Sequence, residues 1–192
     1  MRTAIIPAEQ QSVTEWSGGR TREIYISGRS ASYAQRDFLL RLSSATCEDE
    51  ASTFTMLPAY ERALLVLEGQ VSLMHDGREP IRLEPYGDVD YFSGGSLTVS
   101  RGTCHDFNVM WAKDASFSVK VEVLKDFPCT IACTGEEFFY APEQAFDVTI
   151  AAEHRSLPPQ GLLHFEGEGK LHFEAAGKAR LIRVQLIQKK WF

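Results

Sequence analysis

In the stretch Leu64-Leu-Val-Leu-Glu-Gly-Gln-Val-Ser-Leu-Met-His-Asp-Gly-Arg78, a short apolar run reaches Glu68-Gly69 and turns, and a second run follows. The second run alternates: Val71, Leu73 and His75 share one face, Ser72 and Met74 the other. A period of two belongs to a β-strand, whose successive side chains point to opposite faces. Asp76-Gly77 then supplies the residue types of a type I′ hairpin turn, because both central positions need positive φ. Ile81 and Leu83 open the next strand, and Pro85-Tyr-Gly-Asp88 reads as another tight turn.

Outward from this stretch the pattern continues. Gly94-Gly95 precedes Ser96–Ser100, and Arg101-Gly102 turns into Cys104–Met110. Phe117–Leu124 alternates cleanly, with Phe117, Val119, Val121 and Val123 on one face. No long stretch carries a helical period with caps, so the chain reads as all-β. A short echo is also present. Leu67-Glu-Gly-Gln-Val-Ser-Leu73 can be laid on Phe165-Glu-Gly-Glu-Gly-Lys-Leu171. It predicts two copies of one hairpin in two related half-barrels; two ordinary hairpins with common turn chemistry would give the same echo. Pro158-Pro-Gln-Gly161 reads as a surface connection, and the acidic Cys47–Ser52 as a solvated loop.

The 192 residues suffice for a substantial core. Hydrophobic residues at 44% and charged residues at 24% indicate a folded globular chain rather than a disordered one. The net charge is −6, and the basic pairs Arg20-Thr-Arg22 and Lys189-Lys190 are too short for a nucleic-acid footprint. No apolar run approaches the roughly 18 residues of a membrane-spanning helix. The apolar part of Met1–Pro7 is too short for the core of a signal peptide. The expected location is cytoplasmic, with the four cysteines reduced. Cys129 and Cys133 lack redox spacing, and adding Cys47 and Cys104 gives no regular zinc pattern.

Several segments together resemble the HutD/Ves family. They are Trp16-Ser-Gly-Gly-Arg-Thr-Arg-Glu-Ile24, Arg41-Leu-Ser43, Phe54 with Pro58, Arg62 and Leu65–Gly69, and Asp106-Phe-Asn-Val-Met110, in the family order. Ser17 and Arg20 depart from the family pattern, which has Asn and Gly there. The resemblance implies an all-β bicupin, two cupin-like β-barrel halves in one chain. Residues 1–192 would form one unit, with about 10–125 the first barrel region and 126–192 the second half-barrel region. It also implies an association with histidine utilisation, and a small carboxylate such as urocanate or formylglutamate as ligand.

Many cupins hold a metal with two closely spaced His, a Glu and a later His, since imidazole and carboxylate suit iron, manganese and zinc. Pro58–Ala63, before the first hairpin, contains no His. The five His are His75, His105, His154, His164 and His172, none at ligand spacing. No metal and no cofactor is expected. His164 and His172 are expected to face each other across the final hairpin, as a half-buried or surface pair. His105 and Asp106 are adjacent on a strand and point to opposite faces, which argues against a catalytic pair and against Cys104 as a nucleophile.

Arg22, Arg41 and Arg62 form the cationic set. Arg41 lies between Leu40 and Leu42, so alternation turns it into a barrel interior if the leucines face away. A guanidinium there needs a partner: Glu23, Glu61, Asp106 or a bound carboxylate held by two hydrogen bonds. Structural ion pairing explains each Arg singly; together with Asn108 they suggest a polar pocket. The expected ligand-binding residues are Trp16, Arg22, Glu23, Arg41, Arg62, Asp106 and Asn108. The expected function is binding of a small polar carboxylate in an accessory or regulatory role. The alternatives are an enzyme using Glu23 or Asp106 as acid or base, and an interaction module without a ligand. Edge strands make a homodimer an expected arrangement.

Overall fold

The computed structural model describes residues 1–189, so Lys190 of the C-terminal basic pair lies outside the described residues. In chain order the first strands are β1 (Arg2–Ile6), β2 (Ser12–Trp16), β3 (Gly19–Gly28), β4 (Phe38–Cys47), β5 (Ala51–Thr53), β6 (Tyr60–Gly69), β7 (Val71–His75), β8 (Ile81–Leu83) and β9 (Asp90–Ser93). They are followed by β10 (Thr98–Arg101), β11 (Cys104–Ala112), β12 (Phe117–Leu124), β13 (Cys129–Tyr140), β14 (Phe146–Ile150), β15 (Glu153–Leu157), β16 (Leu162–Glu174) and β17 (Leu181–Gln188). The other regular element among the described residues is a 3-10 turn, Ala8–Gln10. The fold is all-β, as the alternation predicted.

Two compact units form: Ser12–Ala115, and Met1–Gln11 together with the chain from Ser116 onward. β12, which the sequence placed with the first barrel region, pairs along its length with β17. β1 likewise pairs with β16. The division therefore falls after Ala115.

The Ser12–Ala115 unit contains a six-stranded sheet, β2-β3-β4-β11-β6-β9, and a four-stranded sheet, β5-β10-β7-β8. Leu64, Val66 and Phe92 of the larger sheet meet Val71, Leu73 and Leu83 of the smaller one in a common core. Each large apolar side chain buried there contributes roughly 1.5–3 kcal/mol. The Asp76-Gly77 turn forms as expected, with φ of 51° and 72° and Arg78 N donating to His75 O at 3.0 Å. The expectation at Glu68-Gly69 is corrected. β6 and β7 do not pair, and the chain crosses there from one sheet to the other. A second crossing, from β10 to β11, runs through Gly102. The two corners lean on each other: Gln70 N donates to Thr103 O at 3.1 Å. A Cβ on Gly69 would lie 2.4 Å from Thr103 O, and one on Gly102 would lie 2.3 Å from Gln70 O. Glycine is required where backbone approaches backbone this closely.

In the other unit β12-β17-β13-β16-β14-β15 make one sheet, with β1 added on β16. Its core gathers Phe139, Phe146, Phe165, Leu171, Phe173 and Leu181. Phe165–Leu171 lies within the unbroken strand β16, paired to β13 throughout, so the echo is not a repeated hairpin. What changes near Gly167 is the other neighbour: β1 covers Leu162–Glu166 and β14 covers Leu171–Glu174. His164 and His172 are therefore on one strand, about 26 Å apart at about 3.3 Å per residue. They do not face each other. His164 Nε2 pairs with Glu136 Oε1 at 2.9 Å, and His172 Nδ1 bonds Thr130 Oγ1 at 2.8 Å.

Candidate functional site

β4, β11 and β6 are neighbours in the six-stranded sheet, and their register brings the sequence-selected residues together. Met110 stands opposite both Arg41 and Arg62, Asn108 opposite Ser43 and Leu64, and Asp106 opposite Ala45 and Val66. Directly opposed residues share a face. Leu64 and Val66 belong to the core between the sheets, so Arg41, Arg62, Asp106 and Asn108 look into the same interior. On the opposite face Leu40, Leu42, Phe107 and Val109 are also buried. The four polar residues are each 6% exposed.

Their bonding divides them. Arg41 is committed: Nε donates to Glu23 Oε2 at 2.7 Å, a terminal nitrogen donates to Ser43 Oγ at 3.0 Å, and the guanidinium lies 4.3 Å from the Tyr33 ring. Arg62 lies between Phe54 at 4.8 Å and Phe92 at 5.4 Å, and its Nε has no hydrogen-bond partner. Asp106 Oδ1 and Asn108 Oδ1 are also buried without partners. Each such orphan costs about 1–3 kcal/mol, which a ligand can recover. Burial draws the Arg62 guanidinium down to about 10, so it remains a cation at neutral pH. Burial pushes the Asp106 carboxyl up to about 7, against the opposing pull of Arg62.

The other unit shows the contrast. Arg183 donates from Nε to Glu137 Oε2 at 2.7 Å and from Nη1 to Glu122 Oε1 at 3.0 Å. Glu137 Oε1 accepts Thr134 N at 3.1 Å. That charge cluster is satisfied within the protein. An open cleft of about 440 Å³ in the same unit is lined by Asp147, Thr149, His154, Arg155, Ser156 and Glu174. It holds no buried unpartnered side-chain atom among the described residues, so the polar interior of the Ser12–Ala115 unit is the stronger candidate.

Two expected residues lie elsewhere. Trp16 is 41% exposed, donates its indole N–H to Thr21 Oγ1 at 3.2 Å and crowds Gly18. Arg22 stands opposite Ser44, on the face away from Glu23, and acts electrostatically on His105. His105 and Asp106 do point to opposite faces, and His105 Nε2 meets Ser44 Oγ at 2.7 Å. Burial lowers the His105 pKa and raises the Cys104 thiol to about 12.

Sequence reasoning missed Tyr33, Phe54 and Phe92 as walls of the site, and a hydrogen-bonded chain beside it. His75 Nδ1 bonds Thr98 Oγ1 and its Nε2 bonds Asp90 Oδ2, both at 2.8 Å. The His75 ring lies 4.5 Å from Phe92. The signal was the alternation that put His75 with Val71 and Leu73; its partner Asp90 required the topology. Among the described residues no three His, Cys, Asp or Glu converge to hold a metal ion. The imidazole that this interior does contain, His75, is taken up by Thr98 and Asp90, so the interior does not present the imidazole set that metals of the cupin type take.

No curated protein matches the chain. It is similar in structure to a conserved protein of unknown function from Pseudomonas aeruginosa PAO1, at 25% identity and TM-score 0.84, covering 98% of this chain and all of that one. HutD from Pseudomonas fluorescens SBW25, solved in a formate condition, is similar at 22% identity and TM-score 0.77, with 98% and 100% covered. The pirin YhhW from Escherichia coli, in complex with nickel(II), shares the fold at 11% identity and TM-score 0.68, again with 98% and 100% covered. These neighbours carry the cupin-type fold. The family model for HutD matches residues 8–183, so the chain belongs to the HutD family.

Proposed function

We propose that the protein binds a small polar carboxylate in the interior of the Ser12–Ala115 unit, without a metal, in an accessory or regulatory role linked to histidine utilisation. The observation that carries this reading is the trio of buried unpartnered atoms, Arg62 Nε, Asp106 Oδ1 and Asn108 Oδ1, on one face. A ligand carboxylate supplies the acceptor that Arg62 Nε lacks, and charge-assisted bonds of this kind are the strong ones. Asp106 Oδ1 and Asn108 Oδ1 are acceptors, so the same ligand must bring N–H or O–H donors to meet them, as the imidazole of urocanate or the formamide N–H of formylglutamate would. Arg41, held by Glu23 and Ser43, shapes the site rather than contacting the ligand. A cytoplasmic location is part of the proposal; among the described residues no helix is long and apolar enough to cross a membrane. The test is titration with urocanate, formylglutamate and related acids, read by calorimetry and thermal shift. At a hundredfold excess over Kd a ligand stabilises by about 2.7 kcal/mol. No heat and no shift across the panel refutes the reading.

A second reading has its own observation. A buried carboxyl raised to about 7 is suited to general acid–base work near neutral pH. Turnover of an acid from the panel, abolished in Asp106→Asn, would establish an enzyme; unchanged substrate after prolonged incubation argues for binding alone.

A further inference from the structure

The interior of the Ser12–Ala115 unit contains no surplus cation. Its inward groups are Glu23 on β3, Arg41 and Cys47 on β4, Arg62 on β6, Asp90 on β9, and Cys104 and Asp106 on β11. His75 comes from β7 in the facing sheet, and Tyr33 is the phenol beside the two arginines. Two guanidiniums thus stand against three carboxyl groups. Arg41 and Glu23 pair at 2.7 Å, and His75 and Asp90 at 2.8 Å. Arg62 and Asp106 balance each other in charge without forming an ion pair among the described residues.

An anion bound beside Arg62 adds a negative charge to this buried interior. Uncompensated charge is costly away from water, so groups there neutralise instead. Protonating Glu23 would weaken its ion pair with Arg41, and protonating Asp90 would disturb the oxygen that already bonds His75 Nε2. Protonating Asp106 breaks no hydrogen bond at Oδ1, and it creates an O–H donor facing the site. We propose that the site takes up its anion together with one proton, which resides on Asp106. This rests on the binding reading above and adds its regulation: the site loads in mildly acidic conditions and releases in alkaline ones. The carboxyl's position near 7 puts the change in the physiological range.

The step balances simply. The anion keeps its charge, a proton from solvent joins a carboxylate oxygen of Asp106, and no covalent bond of the ligand changes. The experiment is calorimetric titration of the full chain with formylglutamate, and with formate as a second probe, at pH 6 and pH 8. Each pH is run in two buffers of different ionisation enthalpy, which yields the protons exchanged per anion. Uptake is expected to approach one proton at pH 8 and to be small at pH 6. Affinity should fall about tenfold per pH unit above 7. Asp106→Asn should bind with an affinity independent of pH and exchange no proton. Binding of equal strength at both pH values, with no proton exchanged by the natural sequence, overturns the coupling and leaves the binding reading standing. Absence of binding by either probe at either pH overturns both. The proton count comes from the unmodified protein, so the test does not depend on the variant folding.

Discussion

Asp106→Asn should turn a pH-dependent protein into a less dependent one, before any ligand is added. Asn has the shape of Asp and carries no charge. In the folded chain the Asp106 carboxyl titrates near 7, whereas its reference value is 3.8, and burial is the main cause. Between these values the folded state holds a proton that the unfolded state has lost, so stability falls as pH rises. Below about 4 both states are protonated and the contribution is fully present; above about 7 it is gone. The shift is about three units at about 1.4 kcal/mol each, so the loss is on the order of 4 kcal/mol. Urea unfolding of both proteins between pH 4 and pH 8, followed by intrinsic fluorescence, reads this directly. The variant should gain on the natural sequence by about 1.4 kcal/mol per pH unit up to 7, and the gap should stay constant above that. A gap between the two that stays constant from pH 4 to pH 7 refutes the assignment of a buried carboxyl without a hydrogen-bond partner at position 106.

Gly69→Ala places a Cβ 2.4 Å from Thr103 O at a φ of +76° and should cost about 1–3 kcal/mol in a urea melt. Gly77→Ala, at φ +72° in open space, should cost about 1 kcal/mol. Arg183→Met leaves the Glu137 carboxylate, 2% exposed, without its cation and should destabilise by about 3 kcal/mol or more. The double change Arg183→Met/Glu137→Leu should recover most of that in thermal unfolding. Cys104 and Cys133, both pushed by burial up to about 12, should resist iodoacetamide at pH 8 in the native state and react promptly in urea. Rapid native labelling of either would contradict the burial argument.

Strand identity was legible wherever one face is wet. Val71–His75 and Phe117–Leu124 alternate, and both form as read. Asp76-Gly77 was legible because positive φ is a local demand. Partnership was not. Gly69 and Gly167 sit in similar sequences, but one is a crossing between sheets and the other a position within a strand whose neighbour changes. That difference is decided by strands far away in the sequence. The site followed the same division. The inward turn of Arg41 could be read from Leu40 and Leu42, and the opposite directions of His105 and Asp106 from adjacency. Glu23 and Arg22 are also adjacent, so only one of them could join Arg41, and register chose Glu23. Phe92, Asp90 and Tyr33 carry no motif; they became visible only when the strands and loops were placed around Arg62.

The two corners that lean on each other at Gly69 and Gly102 work as a clasp. Each carries the chain from one sheet into the other, and the Gln70–Thr103 bond fastens one crossing to the other. Neither sheet can peel away without pulling its own continuation out of the other. The Ser12–Ala115 unit should therefore open as one cooperative block, with the slowest amides of both sheets exchanging at a common rate. A ligand of the polar interior, if the protein takes one, would have to reach it without splaying the two sheets apart.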